Sequence, residues 1–124
     1  MSGIRMSWWL APLFAVAALW LYGVIENKRM QARFPPIGQF VEVEGIRLHY
    51  LEAGQGPPVV LIHGASGNLL DFKLSIFDAL AEKHRVIAID RPGLGYSERP
   101  DGPWCGPDCQ ARLIHDAAAP PTRE

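Results

Sequence analysis

The sequence contains only two cysteines among its 124 residues, and they lie four positions apart. Cys105 and Cys109 have no Cys or His neighbours that could complete a zinc site, which needs about four ligands. Two helical residues at this spacing have Cα atoms about 6 Å apart, a poor geometry for a disulfide. We therefore expect the two cysteines to be incidental, with a disulfide as the alternative if the domain is exported.

Basic runs, internal repeats and low-complexity tracts are absent as well. The formal net charge is −1, and without a basic face the sequence predicts no nucleic-acid partner. It also implies no metal and no organic cofactor. The length indicates one domain at most, and the 11 prolines and 12 glycines indicate short elements joined by loops.

One long stretch, residues 6–25, contains no charged residue. As a helix it would be about 30 Å long, which is the thickness of a bilayer's apolar core. Trp8, Trp9 and Trp20 lie near its ends, where aromatic rings favour the lipid headgroups. The stretch lacks the polar stripe of a core helix and a convincing signal-peptide cleavage site. Residues 1–25 are therefore predicted to be an uncleaved, single-pass membrane anchor with the lipid bilayer as partner, and a cleaved signal peptide is the alternative.

The charges beside this stretch do not fix the side of the membrane. Arg5 precedes it, whereas Lys28, Arg29 and Arg33 follow it, which favours a cytoplasmic soluble part. Long domains cross membranes largely regardless of such charges, so the side stays open. Residues 26–37 end in two prolines and are predicted to form a polar, extended stalk.

Residues 38–117 carry the patterns of alternating strands and helices, and residues 118–124 read as an irregular tail. The predicted elements begin with a two-stranded hairpin (39–44 and 46–51), a buried strand (59–62) and a helix (69–83). A second buried strand (86–89) and the start of another helix (108–117) follow. The strand–helix–strand segment is a βαβ unit, whose two strands are parallel.

The predicted helices each have one apolar face. In the first, this face consists of Leu69, Phe72, Ile76 and Leu80, spaced by three and four. The last helix has a weaker face, made of Ala111, Leu113 and Ile114. These residues are the candidates for packing against the sheet.

Characteristic loops follow the two buried strands: His63-Gly64 after the first, and the segment 90–97, of sequence DRPGLGYS, after the second. Their order and spacing resemble the α/β-hydrolase superfamily over about residues 38–100. The resemblance implies an α/β fold, here an incomplete α/β-hydrolase fold with a hairpin and a βαβ unit after a single transmembrane helix. It also implies that strand 59–62 has an exposed apolar edge here, because its other neighbour in the family carries the nucleophile.

The resemblance assigns roles to the first loop. The backbone N–H of Ala65 would donate to the oxyanion hole, and His63, Gly64, Ser66 and Gly67 would shape the turn around it. The second donor in the family comes from the residue after the nucleophile. Epoxide hydrolases and haloalkane dehalogenases usually have proline where Ser66 stands, which favours a serine hydrolase.

The resemblance makes the second loop structural rather than catalytic. Gly93 and Gly95 would permit a sharp reversal, and Asp90 and Ser97 would tie the loop together. Of the other histidines, His49 and His84 are expected to be solvated or locally bonded, and His115 lies on the ragged end of the sequence.

The sequence lacks a G-x-S-x-G nucleophile elbow and the acid and histidine that follow it in the family. Segments 64–68 and 95–99 each fail at the last glycine, so no catalytic triad is complete. We therefore expect a fragment that is inactive alone, from a parent enzyme that hydrolyses an ester, a C–C bond or a related bond. A small-molecule substrate is expected only for that complete enzyme. The alternative is a non-enzymatic membrane protein or binding module, with or without completion by a separate chain.

Overall fold

The computed structural model describes residues 8–103 and 105–120. Within it the chain forms two compact units, Met1–Pro35 and Pro36–Glu124. The boundary lies at the double proline that follows the apolar segment.

The first unit consists of helix α1, Leu10–Arg33. It is long and apolar enough to cross a membrane, and none of its residues is buried. The helix continues through residues 26–33, where the sequence predicted an extended stalk. These residues include Glu26, Lys28, Arg29 and Met30, which are strong helix formers. The helix ends only where Pro35 restricts the residue before it.

The second unit is built on a four-stranded sheet of order β1-β2-β4-β3. Its strands are β1 (Gln39–Val43), β2 (Ile46–Ala53), β3 (Pro58–Ile62) and β4 (Arg85–Ile89). The predicted hairpin is present, and its two-residue turn has φ of 52° at Glu44 and 77° at Gly45. β2 and β4 are antiparallel, whereas β3 and β4 are parallel, as a βαβ unit requires.

The crossover between β3 and β4 contains two short helices instead of the single predicted helix 69–83. They are α2 (Leu70–Lys73) and α3 (Phe77–Ala81). Between them the Ser75 hydroxyl donates to the carbonyl of Asp71 at 2.6 Å, a local bond of the kind that bends helices. The break shifts the apolar face by one residue, so Phe77 is buried and Ile76 is 46% exposed. The assignment of Ile76 to the core is therefore wrong.

Apolar clusters cover both faces of the sheet. On one face, Leu69 and Phe77 from the crossover pack with Val86 and Ala88 of β4. Leu80 and Phe72 pack against this cluster, as their predicted positions required. The burial of β4 on both faces explains why its sequence is continuously apolar.

The opposite face is covered by helix α4, Pro107–Ala118, which begins with proline at its first position. Ile114 packs with Ile87 and Ile89, and Leu113 is fully buried. Ala111, which was placed on the same face from the sequence, is exposed. The prediction is thus correct for the two large residues of this face and wrong for the alanine.

Cys105 and Cys109 form a disulfide, with their Cα atoms 5.3 Å apart. The expectation of incidental cysteines is therefore wrong. It assumed that both residues were helical, but α4 starts at Pro107 and Cys105 lies in the segment before it. The extended approach to the helix brings the two Cα atoms within the usual range for a disulfide.

Strand β3 pairs only with β4 within the described residues. Its other edge is open, and Val60 and Ile62 are 39% and 52% exposed. This is the exposed apolar edge that the resemblance implied.

Replacing Phe77 by alanine should destabilise the domain by about 3–5 kcal/mol, because it leaves a cavity in the cluster beneath the crossover helices. The matched control is Ile76→Ala, which should cost less than about 1 kcal/mol because that side chain is half in solvent. Urea unfolding of the full-length chain in detergent measures both. Equal losses would contradict the one-residue shift in the apolar face.

Candidate functional site

Asp90 lies directly after β4 and is 1% exposed. Its Oδ2 accepts a hydrogen bond from His49 Nδ1 at 2.7 Å and another from the backbone N–H of Tyr96 at 3.0 Å. Its Oδ1 accepts from the backbone N–H of Leu69 at 2.8 Å. One carboxylate thereby connects β2, the segment before α2 and the loop after β4.

The carboxyl group of Asp90 has a pKa below its ordinary value. Burial alone would raise the pKa, because it removes water from the charged form. The hydrogen bonds that Asp90 accepts from His49 and from the N–H groups of Tyr96 and Leu69 outweigh that effect. The group is therefore an ionised, fully bonded anchor at neutral pH.

His49 is 2% exposed and bonded on every side. Besides the Asp90 contact, its Nε2 accepts from the N–H of Gly38 at 3.0 Å, and its backbone N–H donates to Ser97 Oγ at 2.9 Å. The expectation of a solvated or locally bonded histidine is wrong here, because its partners lie far along the chain. No sequence signal indicated this, since only the pairing of β2 with β4 brings His49 to Asp90.

His84 matches its expectation of local bonding or solvation, and His115 lies on α4. His84 Nδ1 lies 3.3 Å from the carbonyl of Leu80, one turn earlier. His115 is exposed and lies 3.2 Å from the neighbouring Asp116.

The loop after β4 closes on Asp90. Ser97 Oγ donates to the backbone carbonyl of Asp90 at 2.6 Å. Gly93 and Gly95 have φ of 81° and 55°, values that side-chain-bearing residues rarely adopt. A Cβ on Gly95 would also overlap the Asp90 carboxylate. The sharp turn thus brings the backbone N–H of Tyr96 close enough to the Asp90 carboxylate to donate a hydrogen bond to it.

His63 connects the two loops at the carboxyl ends of β3 and β4. It is 3% exposed, and its Nε2 accepts from the backbone N–H of Arg91 at 2.9 Å. The proton therefore resides on Nδ1, which donates to the carbonyl of Gly64 at 2.8 Å. The N–H of Gly67 donates to the same carbonyl at 3.2 Å.

These two bonds set the direction of the next N–H. The peptide bonds of the described residues are all trans, so the C=O of Gly64 and the N–H of Ala65 point in opposite directions. The Gly64 oxygen is held by His63 and Gly67, which turns the Ala65 N–H away from them. Ala65 is exposed, and within the described residues no hydrogen bond uses its N–H. The N–H is free to donate to a negatively charged or polarised atom.

The structure does not pair either candidate serine with a catalytic base. Ser66 is exposed and has no hydrogen bond in the described part of the chain. The Ser97 hydroxyl bonds backbone groups of Asp90 and His49 rather than an imidazole. Across residues 8–103 and 105–120, no group of three or more His, Cys, Asp or Glu could hold a metal ion.

Residues 57–117 match the family described as alpha/beta hydrolase fold. A 2-hydroxy-6-oxo-6-(2'-aminophenyl)hexa-2,4-dienoic acid hydrolase of Metapseudomonas resinovorans is 37% identical over 86 residues, which are 64% of this chain and 28% of the hydrolase. The Cif epoxide hydrolase of Acinetobacter nosocomialis superposes with a TM-score of 0.60 at 34% identity, over 64% of this chain and 24% of that one. A bacterial membrane phospholipase A superposes with a TM-score of 0.60 at 31% identity, over 88% of this chain and 37% of the phospholipase chain. The chain therefore spans well under half of each of these relatives.

Replacing Asp90 by asparagine should destabilise the second unit by about 3–5 kcal/mol, because the amide would direct two protons at groups that are themselves donors. Asp101→Asn, on an exposed bend, is the matched control and should change stability by less than about 0.5 kcal/mol. Thermal melting of the full-length chain in detergent provides the comparison. Similar melting temperatures for the two variants would show that Asp90 is not the anchor.

The same pair gives a pH dependence with a defined sign. A carboxyl group with a lowered folded-state pKa stabilises the fold above its ordinary value of 3.8, and this contribution disappears as the pH falls through the folded-state pKa. The difference in melting temperature between the original chain and Asp90→Asn should therefore have its largest value at neutral pH. It should become smaller as the pH falls below about 4. A gap that stays constant down to about pH 2 would contradict the lowered pKa.

Gly95→Ala should destabilise more than Gly102→Ala, because only the former adds a clash. Both glycines have positive φ, but a Cβ on Gly102 would meet nothing within 4 Å. We expect about 1–2 kcal/mol for Gly102→Ala from backbone strain alone, and a further 1–3 kcal/mol or so at Gly95 from overlap with Asp90. Chemical denaturation of the two variants measures the difference. Equal costs would mean that the close approach at Gly95 is unimportant.

Proposed function

Residues 57–117 belong to the α/β-hydrolase superfamily, and on that premise we propose that this chain supplies the oxyanion-hole turn of a membrane-anchored hydrolase. The observation that carries the proposal is the N–H of Ala65 at the carboxyl end of β3, which has no partner among the residues that the structure describes. In parallel α/β sheets this end is where ligands bind.

The chemistry of that N–H is charge stabilisation. When a nucleophile attacks a carbonyl group, negative charge develops on the carbonyl oxygen, and a fixed donor stabilises it. Losing one such donor typically costs about 3–4 kcal/mol of transition-state stabilisation. Because His63 and Gly67 hold the preceding carbonyl, the Ala65 N–H needs no reorganisation when the charge appears.

The nucleophile, the acid and the catalytic histidine have to come from polypeptide outside these 124 residues. The sequence contains no G-x-S-x-G, and within residues 8–103 and 105–120 neither Ser66 nor Ser97 is paired with a base. We propose that the chain by itself is inactive and that the complete enzyme hydrolyses an ester, with a C–C or related bond as the alternative. Ser66, in place of the proline usual in epoxide hydrolases, favours a serine nucleophile.

The membrane part of the proposal is supported by α1. This helix is long and apolar enough to span a bilayer. The similarity to the membrane phospholipase A covers 88% of this chain. That share is larger than the second unit, so the matched region includes part of the first unit. An enzyme tethered in this way would act close to the bilayer surface, where ester substrates with apolar chains concentrate.

The first test isolates the tagged chain from its native membranes in mild detergent and treats the preparation with a fluorophosphonate, which labels activated serines. The proposal predicts a labelled polypeptide that contains G-x-S-x-G and co-purifies with this chain or extends it, together with ester hydrolysis. Reading the coding DNA onward from the codon for Pro100 in all forward frames identifies such a segment. Labelling of Ser66 or Ser97, or hydrolysis by the purified 124-residue chain, would overturn the proposal.

Ala65→Pro should lower kcat of the complete enzyme by about 10²–10³-fold, because proline has no N–H to donate to the oxyanion. Ala65→Gly is the matched control: it keeps the N–H and should retain most of the activity. Melting temperatures of both variants exclude unfolding as the cause. Unchanged kcat in a folded Ala65→Pro variant would show that this N–H is not an oxyanion donor.

A second candidate function, a non-enzymatic binding module, is favoured by the open edge of β3. The exposed side chains of Val60 and Ile62 and the unpaired backbone of that edge could receive a strand from another chain. A stable complex with a partner that lacks both fluorophosphonate labelling and hydrolysis would support this reading.

A further inference from the structure

The disulfide between Cys105 and Cys109 fastens the beginning of α4 to the segment before it. This helix is not peripheral, because its Leu113 and Ile114 are buried against the sheet. The cross-link therefore belongs to the packed structure of the second unit rather than to a loose tail.

The region of the disulfide is also connected to the Ala65 turn. Gln110 Nε2 donates to the carbonyl of Cys105 at 3.1 Å, and Gln110 Oε1 accepts from Arg91 Nη2 at 2.8 Å. The backbone N–H of Arg91 in turn donates to His63 Nε2 at 2.9 Å. A continuous set of bonds thus links the cross-linked start of α4 to the histidine that orients the turn.

We infer that the second unit resides on the oxidising, non-cytoplasmic side of the membrane, where the Cys105–Cys109 disulfide forms and persists. The inference rests on the proposed anchoring by α1. In forming the bond the two thiols lose two protons and two electrons, and a disulfide-bearing oxidant of that compartment is reduced to two thiols. Reducing cytosol keeps such pairs as thiols, so a structural disulfide indicates the other side.

The basic residues after the apolar segment favour the opposite, cytoplasmic side. Lys28, Arg29 and Arg33 follow the apolar part of α1. Only Arg5 and the amino terminus precede the segment. This charge difference is small, and long domains are translocated largely regardless of it. The compartment requirement of the disulfide is the stronger signal.

The test combines thiol labelling with protease access in cells that express the full chain. Free thiols are blocked with a membrane-permeant maleimide, the cells are lysed and reduced, and newly exposed thiols receive a polyethylene-glycol maleimide. We expect two added polymer chains on the original protein and none on a Cys105→Ser variant, whose single thiol is blocked in the first step. Protease added to cells with a permeabilised outer boundary but an intact inner membrane should remove the second unit and spare a cytoplasmic marker.

The outcomes separate this inference from the proposed anchor. A membrane-bound chain with blocked thiols and a protected second unit would overturn the inference and leave the anchor standing. A membrane-bound chain that is doubly labelled yet protected from protease would also overturn it. A doubly labelled chain, cleaved and released from the membrane, would support the oxidising side but overturn the anchor.

Discussion

The carboxylate of Asp90 lies at the carboxyl end of β4 and accepts hydrogen bonds from three separate segments of the chain, at His49, Leu69 and Tyr96. A buried charge is costly to desolvate, so the carboxylate can stay ionised only if donors replace the lost water. His49, Leu69 and Tyr96 supply these donors, and hydrogen bonds to a charged group contribute about 1.5–3 kcal/mol each. Neighbouring features follow from this constraint: glycine at position 95 leaves room for the carboxylate, and His49 must be buried beside it.

The Ala65 turn depends on this network through its two ends. Leu69, just beyond the turn, is fixed by its N–H bond to Asp90, and His63, at its start, is fixed by the N–H of Arg91. The turn between them has little freedom, although its own residues 64–66 are exposed. A free N–H on a rigid turn is what charge stabilisation in a transition state requires, because the donor is already oriented before the charge develops. Under the proposed function, this turn would be one half of a site, and the nucleophile would belong to the other half.

Most of the fold could be predicted from the sequence because the relevant signals are local. The alternation of β2, the continuous apolar runs of β3 and β4 and the proline at the start of α4 each depend on a few neighbouring residues. The errors arose where distant or competing contacts decide. The bond from Ser75 to Asp71 splits the predicted crossover helix and buries Phe77 instead of Ile76. The disulfide depends on where α4 begins, and the burial of His49 depends on which strand pairs with β2. The residues of the Ala65 turn are assigned by resemblance. The direction of the Ala65 N–H follows only from the hydrogen bonds that His63 and Gly67 donate to the carbonyl of Gly64.

The role of Asp90 in holding the Ala65 turn is tested most directly by amide hydrogen exchange, resolved by NMR, on the full-length chain in lipid nanodiscs. The account predicts that the amides of Leu69, Arg91 and Tyr96 are strongly protected, since each donates within the network. The Ala65 amide, only a few residues from Leu69, should exchange at nearly the rate of an unstructured peptide. A protected Ala65 amide would mean that its N–H is already occupied, and fast exchange at Leu69 and Tyr96 would mean that Asp90 does not hold the turn; either result would contradict the account.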